Sequence, residues 1–234
     1  MSTAAGKKIA IVTGSALGLG YELARQLIGK GWFVAGIDFN TARQEELSRT
    51  FGADEYRAFV GDISDEAFVK DSVAAIKEIG HIDLLINNAG IYPNAAFGSL
   101  DYDAWHKAFL INTMAPAKTL ECFVEHLAAS RLRKVATLSS KMGSIADNGS
   151  GGSTLYRSSK AALNMVMKNL AIELRHLGIA TCTLHPGWVK TDMGGANALI
   201  TAEQSVAGMR QVIDRLTAQN SGRFTGYDGQ EIPW

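Results

Sequence analysis

The stretch KIAIVTGSALGLG, residues 8–20, decides the fold. Residues 8–13 are mostly β-branched or apolar, which is typical of a buried strand. Three glycines follow with the spacing G-x-x-x-G-x-G, a variant of the pattern that leads from the first strand of a dinucleotide-binding sheet into a helix. Glycines allow this turn and let the backbone approach a pyrophosphate at the helix N-terminus. We therefore expect these residues to contact a dinucleotide: Gly14, Ser15, Leu17, Gly18, Leu19 and Gly20.

The rest of the chain alternates short β-branched runs with longer amphipathic stretches. Strands are predicted at residues 8–13, 32–38, 56–60, 82–87, 134–139, 179–184 and 224–227. Helices are predicted at residues 19–30, 41–50, 64–79, 102–130, 156–177 and 201–218, with an N-cap at Ser64, a break near Pro116 and an end at Gly178. This order predicts an α/β fold: a three-layer, Rossmann-type, doubly wound parallel sheet of about seven strands with helices on both faces. Residues 1–234 contain no linker, so we expect one NAD(P)-binding domain.

Composition excludes several classes of function. The 234 residues include 23 Lys and Arg and 23 Asp and Glu, so the formal charge is zero. This balance argues against binding to nucleic acid or to an anionic membrane, because both need an excess of basic charge. No apolar run reaches the roughly 18 residues of a membrane span, and the N-terminal run is too short for a signal peptide. Two cysteines and no metal-ligand spacing predict free thiols, a cytoplasmic location and no metal.

An acidic residue ends the second predicted strand. Asp38 lies 18 residues after Gly20, near the spacing at which a carboxylate meets the adenosine ribose. A carboxylate there accepts hydrogen bonds from ribose hydroxyls and repels a 2′-phosphate, and the neighbouring Leu17 and Phe39 supply no cation. The sequence therefore favours NAD(H) over NADP(H). The alternative interpretation is that Asp38 caps the following helix.

Tyr156 and Lys160 are spaced i, i+4, so both side chains project from one face of a predicted helix. A phenol titrates near pH 10 in water, and a nearby ammonium group favours the phenolate and lowers that pKa. Tyr156 could then exchange a proton with a substrate oxygen. The same spacing is common on helices in general, so the pair alone does not define a site.

These residues also carry a family resemblance. YRSSKAA at residues 156–162, together with TGSALGLG at 13–20 and NNAG at 87–90, resembles the short-chain dehydrogenase/reductase superfamily along essentially the whole chain. The resemblance implies that Tyr156 is the general acid/base and that Lys160 binds the nicotinamide ribose and lowers the tyrosine pKa. It implies that Asn112 holds a water that links Lys160 to solvent. It also implies cofactor contacts by Phe39, Asp62, Ile63, Asn88, Ala89, Gly90, Pro186, Gly187, Trp188, Val189, Thr191 and Met193.

The resemblance also implies a serine that orients the substrate oxygen. In the family this serine usually lies 13 residues before the tyrosine and three before a glycine. Here Ser140 precedes Gly143 by three residues but Tyr156 by 16, which indicates a longer loop within residues 145–153. The rival is Ser144, 12 residues before the tyrosine. We prefer Ser140, because it directly ends a predicted strand and a strand end fixes geometry better than a loop does. Ser139 should point to the opposite face.

A narrower resemblance covers residues 139–152, 156–164 and 222–234. These stretches are similar to the branch of C-factor-like and sniffer-like carbonyl reductases. Members of that branch often use NADP(H) and carry a basic residue in the glycine loop. Leu17 and Asp38 depart from that pattern, so the resemblance leaves the choice of cofactor open.

We expect the substrate pocket at the carboxyl ends of the strands, where ligands bind in open α/β sheets. The candidates to line it, besides Ser140, are Tyr92, Ile145, Asn148, Trp188 and Met193. Residues 191–200 contain two adjacent glycines and could move as a lid. In the family, the two long helices, here predicted at 102–130 and 156–177, commonly form a subunit interface, which implies a homodimer or homotetramer.

The leading hypothesis is an oxidoreductase that transfers hydride between NAD(H) and a small-to-medium carbonyl or secondary alcohol. One alternative is an NADP(H)-dependent carbonyl reductase of the same branch. Another is a dinucleotide-binding signalling or regulatory protein with little turnover, because fold does not fix function.

Overall fold

A computed structural model of the chain describes residues 6–77 and 79–234 and confirms the predicted alternation of strands and helices. The predicted helix over residues 64–79 therefore falls partly outside the described residues. Within these ranges, seven parallel strands form one sheet in the order β3-β2-β1-β4-β5-β6-β7. The strands are β1 (Ile9–Thr13), β2 (Phe33–Asp38), β3 (Tyr56–Val60), β4 (Leu84–Asn87), β5 (Lys134–Leu138), β6 (Ala180–His185) and β7 (Arg223–Gly226).

Helices cover both faces of the sheet, as predicted. They are α1 (Gly18–Ile28), α2 (Thr41–Phe51), α3 (Glu66–Lys77), α4 (Tyr102–Phe109), α5 (Ala115–Ala128), α6 (Thr154–Glu173) and α7 (Ala202–Asp214). One apolar cluster joins α1, α2 and α7 to the sheet. A second cluster joins α3, α5 and the carboxyl end of α6 to the opposite face.

The central strand β1 shows why the sheet is buried on both faces. Ala10 and Val12 belong to one apolar cluster, whereas Ile11 between them belongs to the other. All three side chains are fully buried. Burying an aliphatic side chain of the size of valine or isoleucine stabilises the fold by about 1.5–3 kcal/mol. The apolar run of residues 9–13 therefore forms an interior strand of the sheet.

The predicted break near Pro116 is confirmed, and its form is a widened turn. Residues Leu110–Met114 form a π-helical segment between α4 and α5, with Pro116 in the first turn of α5. Proline has no backbone N–H, so it cannot donate to the carbonyl of Asn112 as an α-helical residue would. The π segment carries Asn112 itself, and such segments occur frequently at functional sites.

The predicted N-cap of the third helix is wrong by one residue. Ser64 donates its hydroxyl to Asp62 Oδ1 at 2.7 Å, so it is engaged outside the helix. Asp65 caps instead, because its Oδ1 accepts the N–H of Ala67 at 2.9 Å. The helix accordingly begins at Glu66.

The sequence also predicts where α6 ends and where α7 begins and ends. α6 continues as a 3₁₀ turn, Leu174–Leu177, and ends at Gly178 with φ +70°, which confirms the predicted glycine stop. The capping box at Thr201 is confirmed. The prediction that this last helix runs to residue 218 is wrong, because it ends at Asp214 and the Asn220 side chain donates to the carbonyl of Arg215 at 2.9 Å.

In the described part of the chain, no helix combines the length and the apolar character that a membrane crossing requires. Cys182 is a buried free thiol, and Cys122 is a partly buried one. Burial raises the pKa of the Cys182 thiol to about 12, so this sulfur stays protonated at neutral pH.

Candidate active site

A cleft of about 580 Å³ opens at the carboxyl ends of the central strands. This is the edge at which open parallel sheets bind ligands, and the volume lies in the range of cofactor sites. Most residues predicted to contact a dinucleotide line it: Gly14, Leu17, Gly18, Leu19, Asp38, Phe39, Asp62, Ile63, Asn88, Ala89, Gly90, Tyr156, Lys160, Pro186, Thr191 and Met193.

Close packing explains two of the three glycines in the first loop. Gly14 has φ +66°, and a methyl group on it would lie 2.9 Å from the Cα of Ala89. A methyl group on Gly20 would overlap the carbonyl oxygen of Gly14. The Asn88 side chain locks the loop, because its amide donates to the carbonyls of Thr13 at 2.9 Å and Gly14 at 3.0 Å.

The start of α1 is suited to an anionic group. Leu17 occupies the N-cap position without a side-chain hydrogen bond, and the first turn contains no acidic residue. The first N–H groups of the helix are therefore left without a capping side chain at the cleft, and the helix dipole favours negative charge there. Gly18 has φ +54° and faces Thr191 across the cleft. The cradle fits the pyrophosphate of a dinucleotide.

Asp38 lies in the cleft at the end of β2. Its Oδ2 accepts the N–H of Ala16 at 3.1 Å, and its Oδ1 accepts the N–H of Asn40 at 2.9 Å. The alternative that Asp38 caps α2 is wrong, because Asn40 is the N-cap and accepts the N–H of Arg43. The carboxylate therefore joins the glycine loop to the end of β2. Its neighbour Phe39 is 77% exposed at the cleft.

The cleft also contains a cation that sequence reasoning missed. Lys107, on α4, lines the cleft together with Asp62 and Ile63. Asp62 is engaged locally, since its Oδ1 accepts the N–H and the hydroxyl of Ser64. The helical position of Lys107, five residues before Asn112, could have identified it, because α4 was predicted to lead into this site.

Some predicted cofactor residues do not present their side chains to the cleft. The Ser15 hydroxyl lies in the interior, 3.0 Å from the Tyr56 hydroxyl and 2.7 Å from Gln44 Nε2. Val189 is buried and pairs with Ile200. Trp188 is half-exposed and donates its Nε1–H to the carbonyl of Gly194. Like these residues, Gly20 and Gly187 shape loops and do not line the cleft.

Tyr156 lies near the amino end of α6 with only 8% of its surface exposed. Its ring packs edge-on against Tyr92 at a centroid distance of 4.6 Å. Burial raises the pKa of Tyr156 to about 12, while a hydrogen bond with Ser140 lowers it and the Tyr92 hydroxyl raises it. The phenol is therefore protonated at neutral pH and lies beside Ser140.

Lys160 lies one turn further along α6. Its Nζ donates to the carbonyl of Leu138 at 2.9 Å and lies 5.9 Å from the centroid of the Tyr156 ring. Burial lowers the pKa of the Lys160 ammonium to about 8. Burial is the largest influence on the pKa of Tyr156 in this geometry, and the Lys160 ammonium donates to the strand. The expectation that Lys160 lowers the tyrosine pKa therefore stays a prediction.

Asn112 is fully buried in the π segment. Its Oδ1 accepts the N–H of Ile91 at 2.8 Å, and its Nδ2 donates to the Ile91 carbonyl at 2.9 Å and to Ser159 Oγ at 3.0 Å. The amide thus joins the loop after β4 to α6 and uses both N–H groups of Nδ2. Oδ1 accepts one hydrogen bond and can accept a second, so the water-holding role that the family resemblance implies stays a prediction.

The structure separates the three candidate serines. Ser140 begins the turn after β5 and lies beside Tyr156. Ser139 points the other way and donates to Asn164 Oδ1 at 2.6 Å, as the strand alternation predicts. Ser144 donates to the carbonyl of Pro233 at 2.6 Å and so faces away from the tyrosine. Of the three, Ser140 fits the substrate-orienting role.

The glycine three residues after Ser140 has a packing role. A methyl group on Gly143 would lie 2.8 Å from the backbone of Lys160. The turn that follows β5 therefore packs directly on α6, at the residue whose side chain enters the cleft. This contact fixes Ser140 relative to Tyr156 and Lys160.

Among the predicted substrate residues, Met193 lines the cleft and Ser140 lies beside the cleft residue Tyr156, whereas four others lie on loops and are not part of the lining: Tyr92, Ile145, Asn148 and Trp188. The Tyr92 hydroxyl lies 2.8 Å from Ser153 Oγ, Ile145 is 78% exposed, and Asn148 accepts the N–H of Gly151. Sequence reasoning missed Arg157, which holds this longer loop. Its guanidinium donates to the carbonyls of Gly151 and Met142 and to Ser150 Oγ.

Residues 191–200, predicted to form a lid, are closed at their base. Lys190 donates its N–H to the carbonyl of Ile200 at 2.9 Å, and Leu199 donates to the carbonyl of Trp188 at 3.0 Å. Within the loop, Thr191 Oγ1 accepts the N–H of Gly194. Met193 at its tip lines the cleft and is half-exposed. The segment forms a closed loop over one side of the cleft.

The chain belongs to the short-chain dehydrogenase/reductase family, because the model of the short chain dehydrogenase family matches residues 8–199. The class of protein that the fold and the site define is thus an oxidoreductase of the NAD(P)-binding type, and the predicted resemblance is confirmed.

Particular relatives narrow this class. The chain is 46% identical to C-signal of Myxococcus xanthus over 66% of this chain and 94% of that protein. It is 34% identical to 1-hydroxy-2-glutathionyl-2-methyl-3-butene dehydrogenase of a Rhodococcus species, over 96% of this chain and 98% of that protein. The structure of NADPH-bound carbonyl reductase from chicken fatty liver superposes with a TM-score of 0.91 at 29% identity, covering 97% of this chain and 99% of that chain. These similarities support the carbonyl reductase branch.

Proposed function

We propose that this protein reduces a carbonyl group of a small-to-medium compound with NAD(H), and that Tyr156 is the proton donor. The observation that carries the proposal is a buried, protonated phenol beside Ser140, at the end of a cleft whose other end is a glycine-rich anion cradle. A protonated phenol is the form that general acid catalysis of carbonyl reduction requires.

In this proposal, Ser140 and Tyr156 have separate roles in the reaction. The nicotinamide, when bound, supplies hydride in reduction and accepts it in oxidation. Ser140 donates a hydrogen bond to the carbonyl oxygen of the substrate and orients it. Tyr156 then transfers its phenolic proton to that oxygen as negative charge develops there. In the reverse direction, the same phenolate accepts the proton of a secondary alcohol.

Lys160 stabilises the charge that remains on Tyr156. Below about pH 8 its buried side chain is an ammonium group. A positive charge within reach of the ring favours the phenolate that forms when the proton leaves. Asn112 acts as a positioning residue, because its amide joins the Ile91 loop to α6 next to this pair.

NAD(H) is the preferred cofactor in this proposal, and Asp38 is the reason. Its carboxylate lies in the cleft at the end of β2, where ribose hydroxyls can donate to it. Placing a 2′-phosphate beside that carboxylate is unfavourable because both carry negative charge. The flanking Leu17 and Phe39 are exposed side chains without charge.

Use of NADP(H) is the competing proposal, and two observations favour it. The chicken carbonyl reductase was solved with NADPH bound. Lys107 lines the cleft and supplies a cation that could pair with an added phosphate. A role as a dinucleotide-responsive signalling protein is a second alternative, favoured by the 46% identity to the relative named C-signal.

The assembly and the location are part of the same proposal. We infer a homodimer or homotetramer formed through α6, whose exposed surface includes Met165 and Ile172. Two unpaired cysteines in the described chain suit a reducing cytoplasm. The Lys and Arg count equals the Asp and Glu count, so we propose no nucleic-acid or membrane partner besides the small-molecule substrate.

Fluorescence titration with NADH and NADPH, on the parent protein and on Asp38→Ala, tests the cofactor. We expect tighter binding of NADH by the parent and a loss of that preference in Asp38→Ala. A parallel screen follows NADH oxidation with benzaldehyde, cyclohexanone and related carbonyls. Tighter binding of NADPH by the parent would make NADP(H) the proposed cofactor, with Lys107 as the partner of its phosphate. Lys107→Ala should then weaken the binding of NADPH and not that of NADH. Binding without turnover across the panel would favour the signalling role.

A further inference from the structure

The chain beyond β7 folds back along the edge of the sheet. Thr225 and Glu231 form an antiparallel bridge, and the N–H of Ile232 donates to the carbonyl of Phe224 at 2.8 Å. The reversal includes Gly229 with φ +82°. Residues 230–234, called here the return segment, thus run beside β7 and toward the carboxyl end of β5.

Trp234 anchors the return segment. Its ring stacks on the fully buried Phe224 at a centroid distance of 5.5 Å and an interplanar angle of 27°. Lys168 Nζ lies 5.7 Å from the centroid of the same ring and donates to the carbonyl of Gly222. Stacking and a cation over the ring each stabilise such an arrangement.

The return segment is hydrogen-bonded to the loop that follows Ser140. Ser144 Oγ donates to the carbonyl of Pro233 at 2.6 Å, and the N–H of Ala146 donates to the carbonyl of Trp234 at 3.0 Å. Ser144 Oγ also accepts the N–H of Asp147 at 3.1 Å. Ser144 is buried, so these bonds are shielded from water.

Ser144 is tied in turn to Ser140. The N–H of Gly143 donates to the carbonyl of Ser140 at 2.8 Å, and the N–H of Ser144 donates to the carbonyl of Lys141 at 3.0 Å. This turn is held on one side by the packing of Gly143 on α6 and on the other by the bonds of Ser144 to the return segment. Losing the bonds of Ser144 therefore lets Ile145 shift and removes one of the two restraints on Ser140. Such shifts matter, since a 1 Å misplacement of a positioning group can cost about 100-fold in rate.

We propose that the return segment positions the substrate end of the active site, with Trp234 as its anchor and Ser144 as its contact. The inference rests on the proposed function, because only there do Ser140 and Ile145 face a substrate. Trp234 acts through the loop and is a positioning residue. It sets where the carbonyl compound sits and leaves the dinucleotide end of the cleft unchanged.

The test compares Trp234→Ala with Trp234→Phe, which keeps a ring on Phe224, and with Ser144→Ala. Trp32→Ala is the matched control, because Trp32 also carries a lysine over its ring, at 5.4 Å, but lies at the amino end of β2, away from the cleft. Hydrogen exchange is measured for residues 144–148. NADH affinity is measured by fluorescence, and KM and kcat are measured with benzaldehyde.

We expect faster exchange of residues 144–148 in Trp234→Ala and Ser144→Ala, and a KM raised about tenfold, the order expected when a loop loses buried hydrogen bonds. NADH affinity should stay within about twofold, and Trp234→Phe and Trp32→Ala should resemble the parent. Unchanged exchange in both variants, or faster exchange throughout the chain, would overturn the proposal. If Trp234→Ala does not fold, Ser144→Ala decides.

Failure of the proposed function is distinguishable from failure of this inference. A parent protein that binds NADH but reduces no carbonyl compound would refute the activity. The exchange comparison would still decide whether the return segment holds residues 144–148, because it needs no turnover.

Discussion

The two ends of the cleft differ in what forms their walls. At the dinucleotide end, glycines and backbone groups close to one another in space form the wall, and Gly14, Gly20 and Asn88 leave no room for change. At the substrate end, the wall consists of loops that side chains hold in place, including Arg157 and the return segment. Substitutions in the first wall should disturb the packing of the glycine loop, whereas loops such as those of the second wall can vary in shape while the fold stays the same.

The buried residues Tyr156 and Lys160 lie between these two ends. Tyr156 and Lys160 project from one helix, and their neighbours come from β5, the Tyr92 loop and the π segment. Their geometry therefore depends on both ends being in place. Substitutions at the pair should abolish chemistry, and substitutions at either end should affect one ligand alone.

The largest effect is expected for Tyr156→Phe. Removing the phenolic hydroxyl removes the proton donor, so kcat should fall by about 10²–10⁴-fold. The ring and its contact with Tyr92 remain, so NADH affinity should change by less than about twofold. Steady-state kinetics and fluorescence titration measure the two quantities.

Tyr92→Phe is the matched control for that substitution. It also removes one hydroxyl, which lies near Ser153 Oγ, and it keeps the edge-on ring packing. We expect kcat to stay within about fivefold of the parent, because one exposed hydrogen bond is lost. Full turnover by Tyr156→Phe would refute the assignment of the proton donor.

Gly20→Ala comes next and should break the dinucleotide end alone. The added methyl group would overlap the Gly14 carbonyl oxygen, so the loop must shift. Overpacking of this kind costs about 1–3 kcal/mol, and if the whole cost falls on the loop that holds the dinucleotide, NADH binding weakens about 5- to 150-fold. Gly29→Ala is the control, because a methyl group there meets its nearest atom, the Arg25 carbonyl oxygen, at 3.4 Å. Equal NADH affinity in both variants would contradict the steric argument.

The same contrast explains what the sequence could predict. Gly14, Gly20 and Asp38 have local reasons to be where they are, a positive φ, a close approach or a strand end, and such reasons leave a pattern at short spacing. The parallel sheet with helices on both faces followed from the alternation of strands and helices along the chain. The pair Tyr156 and Lys160 was visible because i, i+4 spacing fixes a common helix face.

Contacts between distant parts of the chain left no such pattern. Ser144 bonds to Pro233 across 89 residues, and nothing near Ser144 in the sequence indicates that partner. Ser15 was assigned to the cofactor because it lies in the glycine loop, yet its hydroxyl bonds with Tyr56 and Gln44 in the interior. The direction of Lys160 Nζ toward the Leu138 carbonyl likewise depends on packing between α6 and β5.

A smaller effect is expected from pH. The Lys160 pKa is lowered to about 8, so the ammonium is present below that pH and is lost as the pH rises through it. Reduction should therefore lose kcat/KM above about pH 8, by at most about tenfold per pH unit for one titrating group. Tyr156 stays protonated across this range, because its pKa is about 12. Lys160→Met should show low activity without this decline, and an unchanged decline in that variant would assign it to another group.

The smallest functional effect should come from Ser15→Ala, and it sharpens the boundary of the dinucleotide end. Ser15 lies between Gly14 and Gly18 in sequence, but its hydroxyl is buried against the Tyr56 hydroxyl and Gln44. Without this hydroxyl, the buried Gln44 Nε2–H loses its acceptor. The free energy of unfolding should therefore fall by about 1–3 kcal/mol. NADH affinity should stay within about twofold, because the hydroxyl does not face the cleft. Chemical denaturation and fluorescence titration on one preparation separate these effects, and weakened NADH binding at unchanged stability would place the hydroxyl in the cofactor site.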